Sequence, residues 1–381
     1  MALIGIDASR ANAHERTGTE WYSYELIQAL KKITVPGLEF LLYSKKFLRD
    51  GLEKFPQGWN GKILYWRSQR FWNQFRLSWE LWKHPVDLFF QPTHTLPLFK
   101  PKRVVTTLHD IGFERLPKLY PPAELRYHRY SARLAVKHAN RIITVSEFSR
   151  SEILERYKLP PERVVAIPLA VDTNRYYPEI ADGEKDTVLT KYRLSRPFFM
   201  YAGRIEEKKN IVNLIHAFSI FKGTRGVGDP VKLLLVGSPG FGFERVKREI
   251  IARKLEKEVV LPGYVPEAEM PALLSAAKLL LLPSWYEGFG LPILQAQACG
   301  TPVIAANAAS MPEVGGDAAL YAKPDEPEDL ARAMKLLMDE SAEWERRRAL
   351  GFENVKRYSW DRTARSTMNV LLEVLGIQHQ V

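Results

Sequence analysis

Short apolar runs alternate along the chain with longer stretches in which apolar positions recur every three or four residues. In the first half the runs predict strands at Leu3–Asp7, Glu39–Tyr43, Asp87–Phe90, Val104–Leu108 and Arg141–Val145. In the second half they predict strands at Phe198–Ala202, Lys232–Val236, Val259–Leu261, Leu279–Leu282 and Pro302–Ala305. Trp21 to Ile33 is predicted as a helix, because Tyr22, Leu26, Ala29, Leu30 and Ile33 fall on one face. Further helices are predicted at Ile211–Phe221, Phe243–Lys254, Glu269–Ala276 and Glu328–Asp339. Strands apolar almost throughout, separated by helices, mean parallel sheets covered on both faces. The count restarts after the polar stretch 172–196, which contains DGEKD and few apolar residues. The expected fold is therefore α/β, with two Rossmann-like doubly wound domains and a ligand cleft at the carboxyl ends of the strands. Residues 1–171 form the first domain, 172–196 the linker and 197–360 the second.

No stretch approaches the ~18 uninterrupted apolar residues of a membrane-spanning helix. The opening MALIGIDASR lacks a basic region and meets Asp7 early, so it does not read as a secretory signal. A single cysteine, Cys299, excludes an intrachain disulfide and paired-thiolate metal sites, and it fits a reducing cytoplasm. Charge is distributed unevenly. Residues 1–171 hold 27 of the 55 Lys and Arg but 16 of the 44 Asp and Glu, so the whole net charge of +11 sits there. Such a field favours a polyanionic partner, whether nucleic acid, an anionic membrane face or an acidic polymer, and the alternative is a surplus that serves solubility. The segment YWRSQRFWNQFRLSWELWKH interleaves Trp66, Trp72, Trp79 and Trp82 with Arg67, Arg70, Arg76 and Lys83. That pattern suits an interfacial helix on anionic lipid, or a helix packed on the domain with basic edges. No nucleic-acid-binding signature accompanies it.

Some chemistries are absent. The loop after the first strand, DASRANAHERTGTEW, has only Gly18, so the dinucleotide fingerprint is missing, and there is no P-loop lysine motif. Other residues converge on strand ends. GRIEEKKN follows Phe198–Ala202 and places Arg204 and Lys209 where two cations could grip a diphosphate and neutralise a leaving group. The plain alternative is a solvated loop balanced by Glu206 and Glu207. In LLLLPSWYEGFGLPILQAQACG a strand enters a glycine-rich loop, and Pro292 starts a helix whose amino end favours negative charge. Glu287 on that loop could bind sugar hydroxyls, and Gln295 lies in the helix's first turns. The alternative there is an acid on a turn punctuated by Gly288 and Gly290. Cys299 reads as a small buried apolar residue. In the first half His109 ends a strand, where it is either structural or aimed into a cleft. Gly18 would lie across from the phosphate site.

GRIEEKKN, VGSPG, the stretch from LPGYVPEAEM through EGFGLPILQAQACGTPVIAANAASMPEVGG, and in the first half TLHDIGFERLPKLYP, RIITVSEFSRSEI and IPLAVDTNRYYP together resemble the retaining glycosyltransferases of family 4, which have the GT-B fold. The likeness covers most of the chain and is nearer the mannosyltransferase-like members. It implies a first domain that binds the acceptor and a second that binds a nucleotide-sugar donor. By that resemblance Arg204 and Lys209 hold the donor diphosphate, and Glu287 is the first acid of the family's E-x₇-E motif. The backbone at Phe289, Gly290 and Leu291 faces sugar and phosphate. Tyr264 and Val265 lie on the base-reading loop, and His109 stands near the reacting sugar. Residues 361–381 correspond to a helix that crosses back to the first domain.

One departure matters: the second acid of the motif, which holds the ribose, is Gln295 here. Hydrogen bonds to charged groups contribute ~1.5–3 kcal/mol against ~0.5–1.5 for neutral ones, so Gln295→Glu is expected to tighten nucleotide binding by roughly 1 kcal/mol if the ribose is read there.

The reading that follows is a retaining, metal-independent hexosyltransferase. It moves a mannose- or glucose-like sugar from a nucleotide-diphosphate donor to a glycan or lipid-linked acceptor. The donor is a co-substrate, and no further cofactor is expected. The expected place of work is the cytoplasm, peripherally on the inner membrane face. The leaving phosphate takes the acceptor's proton, and domain closure excludes water. Two other classes fit some of the same residues: a non-catalytic nucleotide-sugar or glycan binder, and a nucleotide-sugar epimerase.

Overall fold

The computed structural model describes residues 1–67, 71–226 and 228–378. These fold into two units, one of Met1–Glu114, Ala123–Leu169 and the chain from Ser359, the other of Arg115–Pro122 and Ala170–Tyr358.

The first unit is built on seven parallel strands: β1 Ala2–Asp7, β2 Leu38–Ser44, β3 Trp59–Ile63, β4 Leu88–Gln91, β5 Val104–Thr107, β6 Arg141–Thr144 and β7 Val164–Ala166. Their order is β3-β2-β1-β4-β5-β6-β7. Chain direction across the sheet reverses between β1 and β4, where Ile4 to Ile6 lie beside Leu88 to Phe90. The helix Gly18–Leu30 buries Tyr22, Leu26, Ile27, Ala29 and Leu30. It starts three residues earlier than its apolar periodicity predicts, because the Thr17 amide and hydroxyl both donate to the Glu20 carboxylate and close the first turn. Gly18 is thus the first helical residue and not a loop residue. The helix Trp360–Leu375 packs against Gly18–Leu30 within this unit. Ala364, Met368, Leu371 and Leu372 form its buried stripe, and Gly376 ends it in the left-handed region at φ +78.

The second unit has six parallel strands: β8 Phe198–Ala202, β9 Lys232–Val236, β10 Val259–Gly263, β11 Leu279–Leu282, β12 Val303–Ala306 and β13 Leu320–Ala322. The order is β10-β9-β8-β11-β12-β13, with its reversal between β8 and β11. Both of these central strands are buried along their whole length. Phe199 meets Phe218 and Phe221 of the helix Ile211–Gly223. Each such fully buried side chain contributes ~1.5–3 kcal/mol.

The expected strands are all present, with ends displaced by a residue or two. β3, β7 and β13 were not predicted. β3 is mostly polar, WNGKI, and β7 and β13 are edge strands of three residues, VVA and LYA, too short to stand apart from the loops around them. The stretch 172–196 contains a helix, Asp182–Lys191, and lies in the second unit. No helix among the described residues is long and apolar enough to cross a membrane.

Candidate active site

In a doubly wound sheet the crevice opens at the carboxyl ends of the strands where the order reverses. In the second unit these are the ends of β8 and β11, and the sequence puts GRIEEKKN after one and PSWYEGFG after the other. The loops are tied together directly: the Trp285 amide donates to the Lys208 carbonyl at 2.9 Å. The Lys209 ammonium donates to both oxygens of Glu287, each at 2.7 Å. Ser284 adds a hydroxyl bond of 2.7 Å to the same carboxylate, and Ser310 holds the Glu287 carbonyl at 2.9 Å. Arg204 is different: it is 55% exposed and reaches Glu206 only at 3.7 Å, so its guanidinium is available to an anion.

The loop after β8 is held by the loop after β9. The Ile205 amide donates to Ser238, the Gly240 amide to Ile205 and the Glu207 amide to Phe241. The approach is too close for a side chain, since a Cβ on Gly237 would stand 1.9 Å from the Gly203 carbonyl oxygen. Asn210, buried at φ +60, donates its amide to the carbonyls of Pro283 and Pro324 at 3.0 and 2.6 Å. Tyr201 is buried beneath and donates to the Arg204 carbonyl at 3.0 Å. Burial, reinforced by the charges of Glu287 and Glu206, holds its hydroxyl well above the usual range and protonated. Sequence reasoning missed Asn210, Tyr201, Ser284 and Ser310 as supports. Only the terminal Asn of GRIEEKKN and the glycine of VGSPG hinted at them.

Gly290 stands at φ +90 immediately before the helix Leu291–Ala298, and Phe289 is buried edge-on against Tyr358. Tyr264 is part-exposed and Val265 buried, beside Gly263 at φ +78. Gln295 donates its amide to the Tyr176 hydroxyl at 2.9 Å. Tyr176 in turn donates to Glu267 at 2.5 Å, and Arg175 stands 3.5 Å from that acid. Cys299 is 3% exposed, and burial pushes its thiol up to about 12, so it stays protonated. A cavity of about 510 Å³ in this unit is lined by Glu206, Asn210, Arg245 and Trp285. Arg204, Lys209 and Glu287 do not line it.

In the first unit the reversal lies at the ends of β1 and β4. There Gln91, buried, donates to Asp7 at 2.9 Å, and Asn73 donates to the same carboxylate at 3.2 Å. The Gln91 side-chain oxygen, Oε1, is buried without a hydrogen-bond partner among the described residues. His109 follows β5, edge-on to Tyr22 at 4.7 Å, and Tyr22 bonds Thr107 at 2.9 Å. Burial pushes the His109 imidazole below its usual range, so it is neutral at pH 7. Its Nε2 lies 3.3 Å from the Pro92 carbonyl, which can only accept. The proton is therefore on Nε2, and Nδ1 is the ring's acceptor. Gly18 has open space where a Cβ would be.

Trp72 and Leu77 of the aromatic segment are core residues with Tyr43, Leu64, Leu81, Val86 and Phe89, and Trp66 packs against them. Trp79 and Trp82 face outward. Arg70 lies outside the described residues.

The sequence matches the family model for glycosyl transferases group 1 over residues 187–356 and that for glycosyltransferase family 4 over residues 16–175. The chain is 36% identical to an O-antigen chain mannosyltransferase B of Escherichia coli, over 77% of this chain and 76% of that one. Among solved structures, sucrose-phosphate synthase of Thermosynechococcus elongatus superposes with a TM-score of 0.76 at 19% identity, over 99% and 100% of the chains. HepE of Anabaena, in complex with UDP and glucose, superposes at 0.74 and 18%, over 98% and 100%. The fold is therefore GT-B. With both halves matched and a relative this similar over most of its length, the chain belongs to the family 4 (group 1) glycosyltransferases and is a hexosyltransferase.

Proposed function

We propose that the enzyme transfers a mannosyl residue, with retention of configuration, from a nucleotide-diphosphate sugar to a glycan or lipid-linked acceptor. The observation that carries the reading is the group Arg204, Lys209 and Glu287 at the carboxyl ends of β8 and β11. An available guanidinium and an ammonium already set against a carboxylate can accept a diphosphate and a sugar hydroxyl together. The mannosyl choice rests on the Escherichia coli relative's name.

In the proposed transfer the acceptor hydroxyl oxygen bonds the sugar's anomeric carbon on the face that the phosphate leaves. The bond from that carbon to the phosphate oxygen breaks, and the hydroxyl proton passes to the departing phosphate. Arg204 and Lys209 stabilise the charge that grows there, which is the largest contribution such a site makes. The diphosphate lies between two cations, so no metal is invoked. No group of three or more metal-ligating side chains is present among the described residues. Glu287 holds hydroxyls of the donor sugar. His109 offers Nδ1 to a hydroxyl, which suits a sugar better than a phosphate oxygen, since neither Nδ1 nor that oxygen carries a proton. The +11 excess in residues 1–171 supports work at an anionic membrane surface.

A thermal-shift screen with GDP-, UDP- and ADP-sugars tests the reading. A donor at a hundredfold its Kd is expected to stabilise the protein by ~2.7 kcal/mol. Adding a mannose-terminated glycan should then release nucleotide diphosphate. No shift with any of these donors overturns the proposal, and a shift without release on any acceptor points instead to the non-catalytic binder.

A further inference from the structure

The aromatic segment has two apolar faces and only one of them is covered. Phe75, Trp79 and Trp82 recur at helical spacing along the helices Asn73–Leu77 and Ser78–Lys83, Phe71 stands just before them against Phe75, and each is 57–62% exposed. Leu98 and Phe99 extend this ridge, also exposed. They are held there by the Ser78 hydroxyl, which accepts from both of their amides at 2.8 and 3.3 Å. Contiguous exposed aromatics of this kind mark an interaction site.

The charge around the ridge identifies the partner. Residues 59–103 contain eight Lys and Arg against two acids, Glu80 and Asp87. Glu80 is buried and paired with Lys62 and Arg76, with His84 Nδ1 2.9 Å from the same carboxylate. The border is therefore cationic: Lys83 lies on the ridge's own helix, and the Lys100 ammonium donates to the Leu98 carbonyl at 3.3 Å. A two-fold pairing of two such ridges would set like-charged borders against each other. A bilayer with anionic headgroups matches both features: tryptophan and phenylalanine settle at the acyl boundary, and lysine and arginine hold phosphates. The ridge is also tied to the first unit's switch point, because Asn73 donates to Asp7.

We propose that this ridge is a membrane-docking edge. Its aromatic side chains enter the headgroup boundary of an anionic bilayer, and docking places the Asp7–Gln91 end of the sheet at the membrane surface. The inference rests on the reading above, in which the acceptor works at the membrane, and gives that reading its contact face.

The test is co-sedimentation of the full-length protein with vesicles of phosphatidylcholine alone and of phosphatidylcholine mixed with phosphatidylglycerol. Partitioning is expected onto the mixed vesicles and should weaken as salt rises past ~0.1 M, where the screening length is ~10 Å. Trp79→Ser/Trp82→Ser should lower it by at least about tenfold, ~1.4 kcal/mol. Should that double variant misfold, Phe99→Ser is expected to lower partitioning in the same direction. Unchanged partitioning in folded variants overturns the proposal. So does a concentration-dependent dimer in solution that the same substitutions dissolve, since the occupant would then be a second copy. Calorimetry with GDP, UDP and ADP, without vesicles, separates the two readings. A protein that binds none of the three overturns the donor reading alone, and one that binds a nucleotide yet partitions equally onto both vesicles overturns the docking edge alone.

Discussion

Arg204 and Lys209 look equivalent in the sequence, but their surroundings make them different experiments. Arg204→Ala removes an exposed cation and should leave folding intact while lowering kcat/KM at least tenfold, ~1.4 kcal/mol of transition-state stabilisation. Lys209→Ala also strips Glu287 of its cationic partner, leaving its carboxylate with the Ser284 hydroxyl, so its melting temperature should fall as well. The double substitution Lys209→Ala/Glu287→Gln should regain stability but not turnover; a variant that regained both would place the pair outside the site. His109→Ala should cut turnover and leave nucleotide affinity near wild type, because its acceptor nitrogen suits a sugar hydroxyl; a large loss of GDP or UDP affinity by calorimetry would contradict this. At position 295 the packing adds an effect on stability to the effect on nucleotide affinity expected from the sequence. Tyr176 has one proton and gives it to Glu267, so it can only accept from residue 295. A glutamate there has no proton to give and adds a second carboxylate beside the first. Gln295→Glu is expected to lower stability by ~1–3 kcal/mol, read as a lower melting temperature. Tighter nucleotide binding at an unchanged melting temperature would return the residue to the ribose.

The amino end of the helix Gly18–Leu30 offers a cleaner probe than any charged residue. Apart from its chain neighbours and its own helix backbone, no atom of the described residues lies within 4 Å of a Cβ built on Gly18. Gly18→Ala should therefore leave the fold unharmed and even stabilise it by ~0.4–1 kcal/mol, because the unfolded chain loses freedom. If a ligand crosses this helix end, the same methyl group raises KM. Unchanged kinetics would remove Gly18 from the site, whereas a lower melting temperature would show that the methyl group meets protein. The same reasoning fails at Gly237, where the Gly203 carbonyl leaves no room for a side chain. A substitution there reports on the two loops and not on a ligand.

Acid should destabilise the whole first unit through its buried imidazoles. Burial, with His128 and His109 nearby, pushes His94 down to about 3, against 6.5 for the free group. Below pH 6.5 the unfolded chain takes up a proton that the folded chain refuses, so the unfolded state binds more protons and stability falls with pH. For one such group the slope is ~1.4 kcal/mol per pH unit, and it ends where the folded imidazole itself protonates, near pH 3. Urea titrations at pH 7, 6 and 5 measure it, and His94→Gln should flatten the slope. An unaltered slope would assign the acid sensitivity to other groups.

Fold class, the two α/β halves and the motifs at the strand ends were legible in the sequence because they rest on local information. Buried central strands read as unbroken apolar runs, amphipathic helices carry their period, and a doubly wound order sends the loops after β8 and β11 to one crevice. The edge strands β3, β7 and β13 were not legible, since the first is mostly polar and the other two span three residues each, whereas β10, also at an edge, carries a readable apolar run. Nor was the start of the first helix, which a side-chain cap decides. Tertiary structure alone brought Lys209 onto Glu287 across 78 positions, set Asn210 between Pro283 and Pro324, and gave Gln295 an internal partner in Tyr176, 119 positions away. It also divided the tryptophans, burying Trp72 in the core while leaving Trp79 and Trp82 outside. Composition and spacing fix which groups reach a crevice or a helix face. What each group touches there depends on residues distant in sequence, and only their packing sets the charge, the proton and the exposure that the chemistry uses.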